Sequence, residues 1–315
     1  MIISVSRRTD IPAFYSTWFL NRINEGFVLV RNPMNYHQVS KIQLTPDVVD
    51  CFVFWTKNPG RMIPHLDKLK RYQFYFQITI TPYGSDIERN VPKRDQVIDS
   101  FRRLSEKIGK EKVIFRYDPI LLTNELTFKY HLLQFEYISQ KLAGYTDLCI
   151  ISFIDDYMKI RKNMKALNQI EIDEKTMFEL SRELVKTASK YRINLKTCSE
   201  KIDLSSIGIE HASCIDDKLI STIIGQAIHV EKDKNQRESC GCVTSIDIGS
   251  YNTCEHGCIY CYANDSEETI VKKINKHDVD SPFLIGNLEP EDRVTERKMD
   301  SLIEAQLSFI KKDSL

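Results

Sequence analysis

Cys254, Cys258 and Cys261 stand in the order C-x3-C-x2-C within the last quarter of the chain. Three thiolates this close can hold three corners of a cubane iron–sulfur cluster and leave the fourth iron without a protein ligand. An open iron can bind a small molecule, so the spacing points to chemistry as well as electron storage. Gly257 sits inside the loop, where the missing Cβ lets backbone approach a cluster closely. The same sulfurs with His256 or another cysteine would also make a structural zinc site, although zinc loops more often pair two short C-x2-C knuckles. A cluster used only for electron transfer normally takes four protein ligands.

Four more cysteines, Cys198, Cys214, Cys240 and Cys242, precede the triad in polar, turn-like surroundings. Four thiolates would saturate a second, auxiliary cubane cluster. A zinc ion competes for the same set, and a third reading gives the four no shared metal. A disulfide within Cys240-Gly241-Cys242 would be strained. Cys51 and Cys149 lie in apolar, strand-like runs and read as buried structural thiols. The nine cysteines are odd in number and clustered, unlike a secreted disulfide framework.

These residues need elements to position them. Short apolar runs at Ile2–Val5, 51–55, 74–80, 112–116, 148–152 and 193–196 read as strands covered on both faces. Helical patterns alternate with them at 11–25, Arg94–Ile108, 126–142 and 174–191. The first is bounded by Asp10 as N-cap, Pro12 in the opening turn and Gly26 beyond its end. Such alternation predicts parallel βα units, in an open sheet or a barrel. Residues 27–44 break the rhythm as an inserted hairpin. A last strand, 243–248, runs into the cysteine triad, followed by a loop over 264–293. Met299, Leu302, Ile303, Leu307 and Ile310 then recur at helical spacing and predict a closing amphipathic helix.

Polar residues gather at the ends of the predicted strands, where parallel barrels collect reactive groups. They include Arg7, Arg8, Thr56, Lys57, Arg116, Ser152 and Lys196. One mouth shared by all of them is the simplest arrangement. Arg7 and Arg8 have a plainer reading as partners of Asp10 or nearby acids at the rim, and Asp118 as the residue shaping the turn before Pro119. Glu200 is an acid–base candidate on its neighbours alone. The seven histidines form no two-histidine metal pattern.

The triad with Tyr260 before its last cysteine, continued by Tyr262-Ala263-Asn264, resembles the signature of the radical S-adenosylmethionine (SAM) enzymes. Phe54-Trp55-Thr56-Lys57-Asn58 is similar to a strand end of spore photoproduct lyase-like members. Gln77 to Thr81, and Phe115 to Pro119, resemble later strands of that barrel, and Thr9-Asp10 the end of its second strand. The whole chain also resembles an uncharacterised, mostly bacterial domain family whose C-terminal cysteines are radical SAM-like.

The resemblance implies a partial (β/α) TIM-like barrel of parallel strands, circularly permuted so that the cluster-bearing strand comes last. Strand 243–248 would then pair with Ile2–Val5. It divides the chain into barrel core (1–197), a cysteine-rich segment with the auxiliary site (198–242), and the permuted first βα unit with the cluster loop (243–315). It further implies a [4Fe–4S] cluster on Cys254, Cys258 and Cys261 that reductively cleaves SAM to a 5′-deoxyadenosyl radical. Tyr260 backbone would face the adenine, Arg116 and Ser152 the carboxylate or ribose of SAM, and Lys57 and Thr56 substrate or cofactor. An electron donor such as flavodoxin or ferredoxin would be a partner. The alternative is an iron–sulfur electron-transfer or sensing protein without SAM chemistry.

Composition narrows the surroundings. At 315 residues, with 42% hydrophobic and 28% charged, the chain is ordinary for a globular protein. A formal charge of +0 announces no broad nucleic-acid surface. No apolar run approaches the roughly 20 residues of a membrane span. The first residues lack a signal-peptide pattern, so a cytoplasmic location is expected.

Overall fold

The computed structural model describes residues 1–155 and 158–303. The first half contains β1 (Ile2–Val5), α1 (Ile11–Phe14), α2 (Ser16–Glu25), β2 (Phe27–Asn32), β3 (Asn35–Gln43), β4 (Cys51–Thr56) and β5 (Phe74–Thr79). Next come α3 (Arg94–Ile108), β6 (Val113–Ile120), α4 (Phe128–Leu142), β7 (Leu148–Phe153), α5 (Arg161–Ala166) and α6 (Glu174–Lys190). The last part holds β8 (Asn194–Cys198), β9 (Glu210–Ala212), α7 (Asp217–Ile224), β10 (Ile246–Asp247), α8 (Glu267–Ile274) and β11 (Arg293–Glu296).

Eight strands form one sheet in the order β10-β1-β4-β5-β6-β7-β8-β9, every neighbour parallel. The late strand β10 stands first in space, with Ile246 opposite Ile3 and Asp247 opposite Ser4. β9 and β10 are the two edges. No ladder joins them among the described residues, so the barrel is partial. The hairpin of β2 and β3 is antiparallel and makes a separate small sheet with β11.

The period-2 alternation of strand residues sorts them into two apolar layers. Phe52, Phe54, Phe76, Phe115 and Ile151 face outward onto Trp18, Phe19, Phe101, Phe135 and Leu180 of the helices. Phe54 and Phe76 stack across neighbouring strands with centroids 4.4 Å apart. Ile2, Cys51, Val53, Tyr75, Ile114 and Ile150 face the other way and form an inner core with Ile215 and Val243. Each fully buried side chain of this size contributes roughly 1.5–3 kcal/mol by leaving water. Cys51 and Cys149 are fully buried, one on each face, as expected.

Four local expectations change. The helix over 11–25 is broken at Tyr15, which ends α1 and caps α2 while its hydroxyl donates to the Thr253 carbonyl at 2.6 Å. Strand 243–248 shortens to β10, because Val243 and Thr244 bond to Ile215 and Glu231 instead. Residues 264–293 are not all loop. The Ser266 hydroxyl caps α8 by accepting from Thr269 N, with Glu267 and Glu268 in the first turn and Lys272 and Lys273 in the last. Met299 to Ile303 are not helical: Leu302 N donates to Asp50 and the Leu302 carbonyl accepts from His229 N, replacing helical bonds with tertiary ones. Leu307 and Ile310 lie outside the described residues.

Candidate active site and thiol sets

The C-terminal ends of the parallel strands open onto a cavity of about 560 Å3. β4 delivers Lys57, β6 Arg116 and Asp118, and β7 Ser152. The cysteine loop after β10 adds Tyr260 and Cys261. Cys198, Cys214, Cys240 and Cys242 line the same space. Most of the predicted strand tips therefore share one mouth, but Thr56 and Lys196 do not line it; the second thiol set lines it with all four residues, and the triad with Cys261, not Cys254 or Cys258. A second cavity, of about 710 Å3, adjoins it across Arg8 and Tyr251, with Arg31, Lys273 and Lys276 in its wall.

The triad loop is pinned at several points. Asn90 N donates to the His256 carbonyl at 3.0 Å, Ile259 N to the Ile87 carbonyl at 3.0 Å, and Asn264 Nδ2 to the Cys254 carbonyl at 2.9 Å. Gly257 has φ +65°, the left-handed region, and a Cβ there would lie 3.3 Å from Arg89 Cβ. The turn and Arg89 each require glycine here.

The triad residues are half-buried, and burial pushes all three thiols up. A desolvated thiolate requires a positive partner, which a soft metal centre supplies. Among the described residues, no three of the cysteine sulfurs and histidine nitrogens lie within 4.8 Å of one another. A tetrahedral zinc with bonds of about 2.3 Å needs sulfurs roughly 3.8 Å apart. These sulfurs would have to draw together to hold one zinc ion. The Nε2 of His256 is engaged by Asp10 at 2.7 Å, while its Nδ1 is buried without a protein partner.

Asp10, expected as a helix cap and as a partner of Arg7 and Arg8, joins three elements. It accepts from Ala13 N at 2.9 Å, from Lys57 N at 2.7 Å and pairs with His256. Arg7 and Arg8 are not its partners: they approach Asp233 and Asp247, each at 3.9 Å. Asp10 is already saturated by bonds that hold the cysteine loop against α1 and the β4 end.

Lys57 reaches Glu88 at 2.8 Å, and Glu88 also accepts from Thr81 at 2.6 Å and from the Tyr260 hydroxyl. Burial opposes both charges, but their mutual attraction and hydrogen bonds prevail, so Lys57 is raised and Glu88 lowered. Tyr260 is thereby anchored by its side chain, with its ring 5.8 Å from Lys57 Nζ. Glu88 carried no sequence signal, being one of two acids, with Asp86, in a polar connection after β5. Thr56 is buried and its hydroxyl accepts from Asn58 N at 2.9 Å, shaping the turn that presents Lys57. Unlike Lys57, it is not among the residues lining the cavity.

Arg116 is engaged on every side. It donates to Asp118 at 3.0 Å, to Gln77 at 2.8 Å and to the Cys214 sulfur at 2.9 Å. Ser152 donates to the other oxygen of Asp118. The pair expected for the carboxylate or ribose of SAM is thus in the cavity wall, with its guanidinium neutralised by Asp118. Glu200 is raised to about 7, mainly by burial, and accepts from Phe153 N at 2.8 Å.

No helix of the described residues is long and apolar enough to cross a membrane. Among curated proteins, none matches the chain. Residues 2–263, which include both thiol sets and stop before α8, match a family known as Domain of unknown function (DUF1848), and the chain belongs to that family.

Proposed function

We propose that this protein is a radical SAM enzyme whose catalytic cluster is held by Cys254, Cys258 and Cys261. The observation that carries the reading is that the C-x3-C-x2-C loop reaches the C-terminal mouth of a parallel sheet through Tyr260 and Cys261. The loop follows β10, which pairs with β1 as the resemblance implies for a permuted barrel. A [4Fe–4S] cluster bound there would keep one iron open for SAM and supply the electron for its reductive cleavage to a 5′-deoxyadenosyl radical.

The chain's own groups have definable tasks. Lys57 and Glu88 lock Tyr260, and so fix the loop between Cys258 and Cys261. Asp10 fixes it through His256. Asp118, turned to the cavity and bonded to Arg116 and Ser152, presents a carboxylate that accepts hydrogen bonds from a hydroxylated ligand. The inner core below the mouth excludes water from the reacting end.

The test is anaerobic reconstitution with iron and sulfide, reduction by dithionite, and detection of 5′-deoxyadenosine from SAM. Cleavage that disappears in Cys258→Ala supports the assignment. A fully loaded and reduced protein that leaves SAM intact favours electron transfer or sensing instead.

A further inference from the structure

We infer that Cys198, Cys214, Cys240 and Cys242 form a second iron–sulfur centre, at the seam where the two edges of the sheet face each other. Cys198 ends β8, next to the edge strand. Cys214 lies two residues beyond the edge strand β9, and Cys240 and Cys242 lie shortly before the opposite edge, β10. The backbone between them is stitched without a ladder. Val243 N donates to the Ile215 carbonyl at 3.1 Å, the Ser213 hydroxyl to the Gly241 carbonyl at 2.8 Å, and the Ser239 hydroxyl to the Ser199 carbonyl at 3.1 Å. Three chain segments therefore bring four thiols to one wall of the cavity.

Burial alone does not explain this gathering. Cys51 and Cys149 show what packing does with a thiol here, placing each singly in an apolar layer. Cys214, Cys240 and Cys242 belong to the same apolar core as Cys51, with Cys198 packed against it, yet these four gather on one cavity wall, where the Cys198 and Cys214 sulfurs stand 3.0 Å apart. Arg116 donates to the Cys214 sulfur at 2.9 Å and Ile215 N to the Cys242 sulfur at 3.4 Å. Donors aimed at sulfur suit a thiolate-bound group, and such bonds set the potentials of iron–sulfur centres. The Cys198 and Cys214 sulfurs would have to part for either a zinc ion or a cubane to enter, and iron, zinc and sulfide content separates the two. Four thiolates would satisfy every iron, leaving no open position. This centre accordingly moves electrons, and open-iron chemistry stays with the triad. A side chain on Gly241 would put its Cβ 2.6 Å from the Ser213 hydroxyl, which would have to turn away from its bond to the Gly241 carbonyl.

The inference stands whether or not the triad cleaves SAM. The experiment compares anaerobically purified full-length proteins by iron, zinc and sulfide per chain and by electron paramagnetic resonance after dithionite. The wild type is expected to carry about eight irons and about eight sulfides. The triple variant Cys254→Ala, Cys258→Ala, Cys261→Ala should keep about half of both, and Cys198→Ser with Cys240→Ser should lose about half while keeping the triad's signal. The idea is overturned if the triple variant, folded by circular dichroism, holds no iron. Zinc without sulfide in that variant overturns it too, as does protection of Cys198 and Cys214 from alkylation until a disulfide is reduced. Four irons lost with the triad alone, from a wild type holding four, keeps the proposed enzyme and sinks the second centre; the reverse pattern does the opposite.

Discussion

The triad and the seam are two ways of collecting thiols. The triad lies within eight consecutive residues on one pinned loop, so its geometry is local. The seam set spans 45 residues of chain and comes together only because β8, β9 and the segment before β10 converge. A local site can be read from spacing, since few backbone angles separate its ligands. A distributed site requires the whole sheet to roll until its edges meet. It should therefore respond to changes in fold stability more than the triad does.

The largest separation between the two regions should come from Cys258→Ala. SAM cleavage is expected to fall to the blank, with circular dichroism and seam iron unchanged, because the Cys258 thiol adds little to the core. Turnover retained in this variant would collapse the distinction. Next in size is Lys57→Met, which strands Glu88 as a buried unpaired carboxylate beneath Tyr260. A loss of about 3–5 kcal/mol in denaturant unfolding is expected, with triad iron released before seam iron. Lys57→Met with Glu88→Gln should recover much of that stability, and no recovery would mean the pair does not act as a unit.

Gly257→Ala tests the local loop more gently. A non-glycine residue at φ +65°, with its Cβ against Arg89, should cost about 1–2 kcal/mol and loosen triad iron while sparing the seam. Equal loss from both sites in a chelator time course would count against independent regions. A last test falls on α4, in the helical layer, at a residue that belongs to neither thiol set. His131 on α4 bonds Tyr117 and the Leu121 carbonyl, and burial lowers it to about 4. The unfolded chain therefore binds a proton that the native state refuses between about pH 6.5 and 4, and stability should decline as pH falls through that window. A metal-free variant whose midpoint stays flat across it would show that His131 is not held neutral.

Legibility followed the range of the interactions. Ile2–Val5 and Arg94–Ile108 match the predicted bounds, because period-2 and period-3.6 patterns are short-range signals. α8 was missed because Ile270 is its only fully buried residue, leaving its charged sequence looking like loop. β9 and α7 were missed for a related reason: the segment around the second thiol set is held by bonds to distant partners such as Tyr75 and Gln77, which reach the Cys214 carbonyl at 2.7 and 2.6 Å. The Lys57–Glu88 pair was invisible, as nothing in an acid of a polar connection announces a cation 31 positions earlier.

By itself the sequence determined the alternation that makes a parallel sheet and the spacing that puts three cysteines on one short loop. Both depend on neighbours a few residues apart, where backbone geometry leaves little choice. The resemblance already placed strand 243–248 beside Ile2–Val5; only the tertiary structure decided that Arg116 would be spent on Asp118 and Cys214 and that Lys57 would pair with Glu88 under Tyr260. Those outcomes depend on which apolar faces pack together, and packing is settled by the whole chain at once.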